Sequence, residues 1–214
     1  MTLQACGLTY ARGRRKLFSG LDFSVQQGEA LRVAGGNGSG KTSLLSLLCG
    51  LADPQQGEVR WKGRPIRRQR DVYHRELVYL GHRQGLKDDL SALENLQSNA
   101  LLAGRACSRP QALQALDALG LASRAHQPVR SLSQGQRRRV LLARLALKPS
   151  SPLLILDEPF TALDQESVDL LLTVLNQHLQ DGGSVVYTTH QPQRLQAKQH
   201  HELFLGQRVM SEEA

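Results

Sequence analysis

"ALRVAGGNGSGKTSLLSLLCG", Ala30 to Gly50, decides the fold. A short apolar run, Ala30 to Ala34, leads into a glycine-rich turn and then into apolar residues at helical spacing that close on Gly50. That order reads as a buried strand, a tight turn and a helix. The turn itself, "GGNGSGKT", satisfies G-x-x-x-x-G-K-[ST] in the strand-then-helix context the pattern requires. Gly35, Gly36, Gly38 and Gly40 let the backbone curl, so that N–H groups along the loop, Asn37 and Ser39 included, point inward at phosphate oxygens. Lys41 reaches the β and γ phosphates, Thr42 offers its hydroxyl to Mg²⁺, and Ser43 follows in the first helical turn. The stretch is a nucleoside triphosphate site.

Working outward, "LLILD" (153 to 157) and "SVVYTT" (184 to 189) are further short, nearly continuous apolar runs, the form of central strands in a parallel sheet. "LLILDEP" ends in two acids, so a buried strand delivers carboxylates toward the phosphates. Asp157 would hold Mg²⁺, largely through water, and Glu158 would take or orient the proton of attacking water. Alternation in "LDFSV", with Leu21, Phe23 and Val25 on one face, and in "EVRWKG" predicts half-buried strands in an antiparallel layer near the N-terminus. Helices are predicted over Lys41 to Cys49, Val140 to Leu147 and Gln165 to Leu179.

From about Leu86 to Leu132 the pattern changes to helical periodicity without a strand-like run. "SALENLQSNALLA" opens with Ser91 and Glu94 three apart, a capping box, and "QALQALDALG" stops on Gly120. The chain thus reads as one α/β domain over 1–214, with a core of about 1–85 and 133–214 and a helical insert of about 86–132. "LSQGQRRRV" adds Ser133 and Gln136 three apart, another N-cap pattern, and Gly135 permits close approach, so this helix end is also an anion site.

Composition narrows the partners. Among 214 residues, 27 Lys+Arg against 19 Asp+Glu give a formal charge of +8, which suits a nucleotide, a nucleic acid or an anionic surface without choosing among them. The clusters "RGRRK", "RPIRRQR" and "RRR" read most simply as solvated faces. Three cysteines, Cys6, Cys49 and Cys107, offer neither a CxxC nor a metal-ligand spacing, as in a reducing compartment. No run approaches the roughly 20 apolar residues that span a bilayer, so work at a membrane needs another chain to make the crossing. The pair His200-His201 reads as part of a solvated polar tail.

The phosphate loop, "LLILDEP" and "LSQGQ" together resemble the ABC-transporter ATPases over nearly the whole chain. The resemblance implies a P-loop NTPase cassette with a RecA-like parallel-sheet core, an N-terminal antiparallel β layer and an inserted α-helical subdomain, binding ATP and Mg²⁺ between two copies. In that family Ser133, Gly135 and Gln136 would meet the γ-phosphate bound by the partner copy. "TALD" would couple the two halves through Asp164, His190 in "YTTH" would contact the γ-phosphate and orient Glu158, and Tyr10 would stack on adenine. Gln134 stands where the family usually has glycine, with room to point away. The family's glutamine, which senses Mg²⁺ and attacking water, falls by register on His82, two residues before Gln84; His82 is the expected sensor and Gln84 the alternative.

"LFSGLDFSV", "GEVRWKG", "YLGH", "GLKDDLSALENL", "ILDEPFTALD" and "TTHQP" resemble the ATP-binding subunits of haem exporters in bacterial cytochrome c maturation. That resemblance implies a peripheral subunit on the cytoplasmic face of the inner membrane. It would act as a homodimer docked on integral membrane subunits, serving a haem chaperone indirectly, with no nucleic-acid partner. An ATPase for another exported substrate, or a soluble ABC ATPase acting on nucleic acid or ribosomes, are the alternatives.

Overall fold

The computed structural model describes residues 2–81, 85–147, 151–191 and 193–206. Two sheets build it. β1 (Thr2–Arg12) and β2 (Arg15–Gln26) form an antiparallel hairpin, and β4 (Gln56–Trp61) and β5 (Arg64–Pro65) extend it in the order β2-β1-β4-β5. The second sheet is wholly parallel, β6-β7-β8-β3-β9, from β3 (Ala30–Gly35), β6 (Leu77–Leu80), β7 (Leu153–Leu156), β8 (Ser184–Thr188) and β9 (His200–Leu205).

The continuous apolar runs are continuous because every residue of β7 and β8 is buried, as a parallel sheet covered on both faces requires. Successive residues then feed opposite cores. Leu154, Leu156, Val185 and Tyr187 join α3 (Ala92–Leu102), α4 (Arg109–Asp117), α5 (Gln134–Leu142) and α6 (Gln165–Gln180) on one side. Leu153, Ile155 and Val186 join α1 (Lys41–Leu48) and the antiparallel sheet on the other, around the fully buried Trp61. The short α2 (Arg70–Arg75) leads into β6.

The predicted strands and the antiparallel layer are present. β1 was not foreseen, because a register shift between Ala5 and Leu8 breaks its alternation. The expectation for His200-His201 is corrected. They open β9, paired in parallel to β3 with Ala30 opposite His200, and both are half-buried. His200 Nε2 lies 2.8 Å from the Tyr187 hydroxyl and His201 Nε2 lies 3.2 Å from Glu29 Oε2. The helix expected over Val140 to Leu147 begins earlier, at Gln134, and tightens into a 3₁₀ turn over Ala143–Ala146. Among the described residues no strand lies between β6 and β7; α3 starts with the Ser91–Glu94 capping box and α4 with a second one, Ser108–Gln111.

Candidate nucleotide site

The site gathers at the carboxyl ends of β3, β7 and β8, where parallel strands stop beside one another. β3 runs into the glycine loop. At Gly35, φ is +145° and a Cβ would fall 2.5 Å from the Leu205 carbonyl oxygen, so only glycine fits. α1 begins at Lys41, whose Nζ donates to the Gly35 and Gly36 carbonyl oxygens at 2.7 and 3.1 Å. The ammonium is thus held over the loop, on acceptors that are weaker partners than a phosphate oxygen. One residue on, Thr42 Oγ1 donates to Asp157 Oδ2 at 2.8 Å.

Asp157 and Glu158 follow β7, and Thr188 at the end of β8 fixes both. Thr188 Oγ1 donates to Asp157 Oδ1 at 2.8 Å and accepts from the Glu158 backbone N–H at 2.8 Å. Glu158 itself sits at φ +50°, a conformation that costs a non-glycine residue about 1–2 kcal/mol. Hydrogen bonds at both ends hold it there, Thr188 on its N–H and Arg138 Nη2 on its carbonyl at 2.9 Å. Its side chain is nearly buried, with Oε1 accepting no hydrogen bond and lying 3.5 Å from Nε2 of the exposed His190. A carboxylate so placed has an acceptor free for a proton and an imidazole at hand to hold its direction.

Electrostatics beneath the site follow from burial. Desolvation lowers the Arg138 pKa, with the Asp157 carboxylate opposing. Burial, and after it Asp157, pushes the Cys49 thiol up, while Tyr79 is pushed to about 12 by burial first and then by Cys49 and Asp157. Cys49 therefore stays a thiol at neutral pH.

A cleft of about 610 Å³ opens over these groups. Asn37, Gly38, Gly40, Lys41, Thr42 and Ser43 form one wall, Asp157, Glu158 and His190 another, and Arg12 and Arg15 of the β1–β2 hairpin reach in from the side. Gly35, Gly36 and Ser39 complete the loop behind that wall. Tyr10, expected at adenine, is not among the lining residues; its ring stacks on Phe18 with centroids 6.1 Å apart. Ser133, Gly135, Gln136 and Asp164 do not line the cleft either. Ser133 caps α5, accepting from Gln136 N at 3.2 Å while Gln136 Oε1 accepts from Ser133 N at 3.0 Å. Gln134 is exposed, and a Cβ on Gly135 would meet nothing closer than the Ala162 carbonyl oxygen at 4.0 Å. Asp164 caps α6 through Ser167 N at 2.9 Å, a bond that lowers its pKa. His82 and Gln84 lie outside the described residues.

Other participants were missed in the sequence. Thr188 was one polar residue at a strand end. Arg138 belonged to a triplet read as solvated, yet only 6% of it is exposed. Arg12 belonged to a hairpin run read the same way.

Thr42 and Asp157 offer oxygen donors at their junction, and among the described residues no group of three or more His, Cys, Asp and Glu could cage an ion. Few protein oxygens beside a phosphate loop fit Mg²⁺, which keeps several waters and shares substrate oxygens.

A strand-to-loop phosphate cradle facing two strand-end acids defines a nucleotide-hydrolysing ATPase, and the ABC transporter family model matches residues 18–161. The chain belongs to that family and, within it, to the cytochrome c biogenesis ATP-binding export proteins. The CcmA protein of Dechloromonas aromatica (strain RCB) is 50% identical over 95% of this chain and 100% of its own length. That of Escherichia coli (strain K12) is 48% identical over 89% of each. Among solved structures, a putative ABC transporter ATP-binding protein from Pyrococcus furiosus has the same fold, with TM-score 0.81, 22% identity and coverage of 95% and 98%. The ATP-binding cassette MJ0796, solved as a dimer in a post-hydrolysis state with ADP and Pi, gives TM-score 0.76 at 25% identity over 88% of each chain.

Proposed function

We propose that the chain is the ATP-hydrolysing subunit of an export complex in cytochrome c biogenesis, working as a nucleotide-sandwiched homodimer on separate integral membrane subunits at the cytoplasmic face of the inner membrane. Hydrolysis would be coupled to haem delivery or to release of a haem-loaded chaperone. The export role is supported by the likeness to the CcmA proteins across nearly the full chain, and the dimer by the likeness to the dimeric cassette. Among the described residues no helix is long and apolar enough to cross a membrane, in keeping with separate membrane subunits.

The observation that carries the chemistry is the buried, hydrogen-bond-free Oε1 of Glu158, a residue that lines the cleft, 3.5 Å from His190 Nε2. Lys41 exchanges its loop carbonyls for β and γ phosphate oxygens, and the loop N–H groups neutralise the remaining charge. Thr42 and Asp157 would hold Mg²⁺, which when bound draws charge from the phosphate oxygens. Glu158 accepts a proton from water as its oxygen attacks the γ-phosphorus and ADP leaves, while His190 orients the carboxylate. Ser133, Gly135 and Gln136 of the second copy close the site over the γ-phosphate, with Asp164 at the coupling loop between halves; His82 stands as the water sensor. In cells lacking their own subunit, this chain should restore haem attachment to c-type cytochromes and Glu158→Gln should not. Full restoration by that variant, or absence of the chain from membranes that contain the partner subunits, would overturn the reading.

A further inference from the structure

The turn between β1 and β2 concentrates positive charge with nothing to neutralise it. Arg12, Arg14, Arg15 and Lys16 are all exposed, and none makes a hydrogen bond or ion pair among the described residues. Arg12 and Arg15 stand opposite each other where the hairpin closes, and both line the nucleotide cleft. Their reach differs. Arg15 Nη1 lies 3.9 Å from where a Cβ on Gly38 would sit, so it leans over the phosphate loop. Arg12, on the other strand, lines the cleft and has no atom within 4 Å of that position.

A nucleotide whose phosphates fill the glycine loop must carry its base out along the open cleft, toward the hairpin side. Tyr10, the aromatic expected at the base, is stacked on Phe18, at 27° between ring planes, and does not line the cleft. Phe18 in turn is buried, its ring edge 3.4 Å from the position of a Cβ on Gly40, so the Tyr10–Phe18 pair braces the loop from behind. A guanidinium is planar and weakly hydrated, stacks on π faces, and can swing over a base without disturbing the sheet.

We propose that Arg12 is the platform for the nucleotide base, its guanidinium stacking on the adenine face, and that Tyr10 is a structural brace. The inference rests on the nucleotide reading above. Its test compares binding of ATP and of inorganic tripolyphosphate by calorimetry in EDTA, for wild type, Arg12→Ala, Arg12→Tyr and Tyr10→Leu. Arg12→Ala should weaken ATP about three- to tenfold, the scale of an exposed to partly desolvated cation–π contact, and leave tripolyphosphate unchanged. Arg12→Tyr should recover ATP affinity by supplying another flat platform. Tyr10→Leu should bind both ligands as wild type does, the tripolyphosphate titration also reporting that its loop is intact. Equal weakening of both ligands by Arg12→Ala would make Arg12 a phosphate contact and overturn the proposal. So would an ATP-specific loss in Tyr10→Leu. Wild type that bound tripolyphosphate but not ATP would instead break the nucleotide reading itself.

Discussion

The carboxyl ends of the parallel strands and the amino end of α5 both offer donors to phosphate, but they are finished to different degrees. At the strand ends Thr42, Asp157, Thr188 and Glu158 are bonded across three elements, and a cleft stands open above them. At α5, Ser133 and Gln136 satisfy one another in a capping box, and neither reaches the cleft of its own chain. The first region is half of an active site held rigid by its own sheet. In the proposed sandwich the second is the surface that meets the γ-phosphate held by a partner copy. Damage to the strand ends should therefore appear in single-chain properties, whereas damage to α5 should appear only when two chains meet.

Lys41→Ala should have the largest effect. It removes the charge that faces the β and γ phosphates, and the carbonyls it frees can turn to water. Hydrolysis should fall by about 10²-fold or more, with the melting temperature in the absence of nucleotide little changed; an ATP affinity equal to wild type would show that the loop does not grip phosphate. Next, Glu158→Gln should slow turnover by about 10²-fold or more while equilibrium ATP binding stays intact, and normal turnover would remove Glu158 from the chemistry.

Ser133→Asp separates two roles of one residue. Aspartate is as good an N-cap as serine, so stability should hold, but its charge would repel a partner's γ-phosphate and hydrolysis should drop about tenfold or more. Retained turnover would mean that this helix end never meets the nucleotide. Thr188→Val removes one hydrogen bond to the buried Asp157 carboxylate and one from the Glu158 N–H, and should cost about 1–3 kcal/mol in chemical denaturation, largely recovered by Thr188→Ser.

The smallest effect is one of pH. Burial, and after it Arg194, lowers the His200 pKa below its ordinary value of 6.5. The folded chain therefore favours the neutral ring, whose Nε2 faces the Tyr187 hydroxyl. The stability this contributes is complete above that ordinary value and declines as pH falls through the lowered one. His200→Gln should flatten that part of a melting-temperature profile between pH 8 and 5, and an unchanged slope would contradict the assignment.

How much of this was legible follows from where the information lies. The phosphate loop, Asp157 and Glu158 are contiguous motifs whose strand contexts are short apolar runs, so local chemistry and local structure coincide in a few residues. The caps on α3 and α5 were legible for the same reason, since a cap is satisfied within three residues. Thr188 and Arg138 were not, because their partners lie 31 and 20 residues away and only the folded sheet brings them together. The contact of Tyr10 with Phe18 was not legible either, because strand register sets it.

The central claim, that each hydrolytic site needs two chains, is tested most directly by sedimentation of Glu158→Gln with and without ATP. A monomer is expected without nucleotide, a dimer with ATP, and a return to monomer that still binds ATP when Ser133→Asp is added. A chain that binds ATP yet sediments as a monomer throughout, or a dimer indifferent to Ser133→Asp, would contradict it.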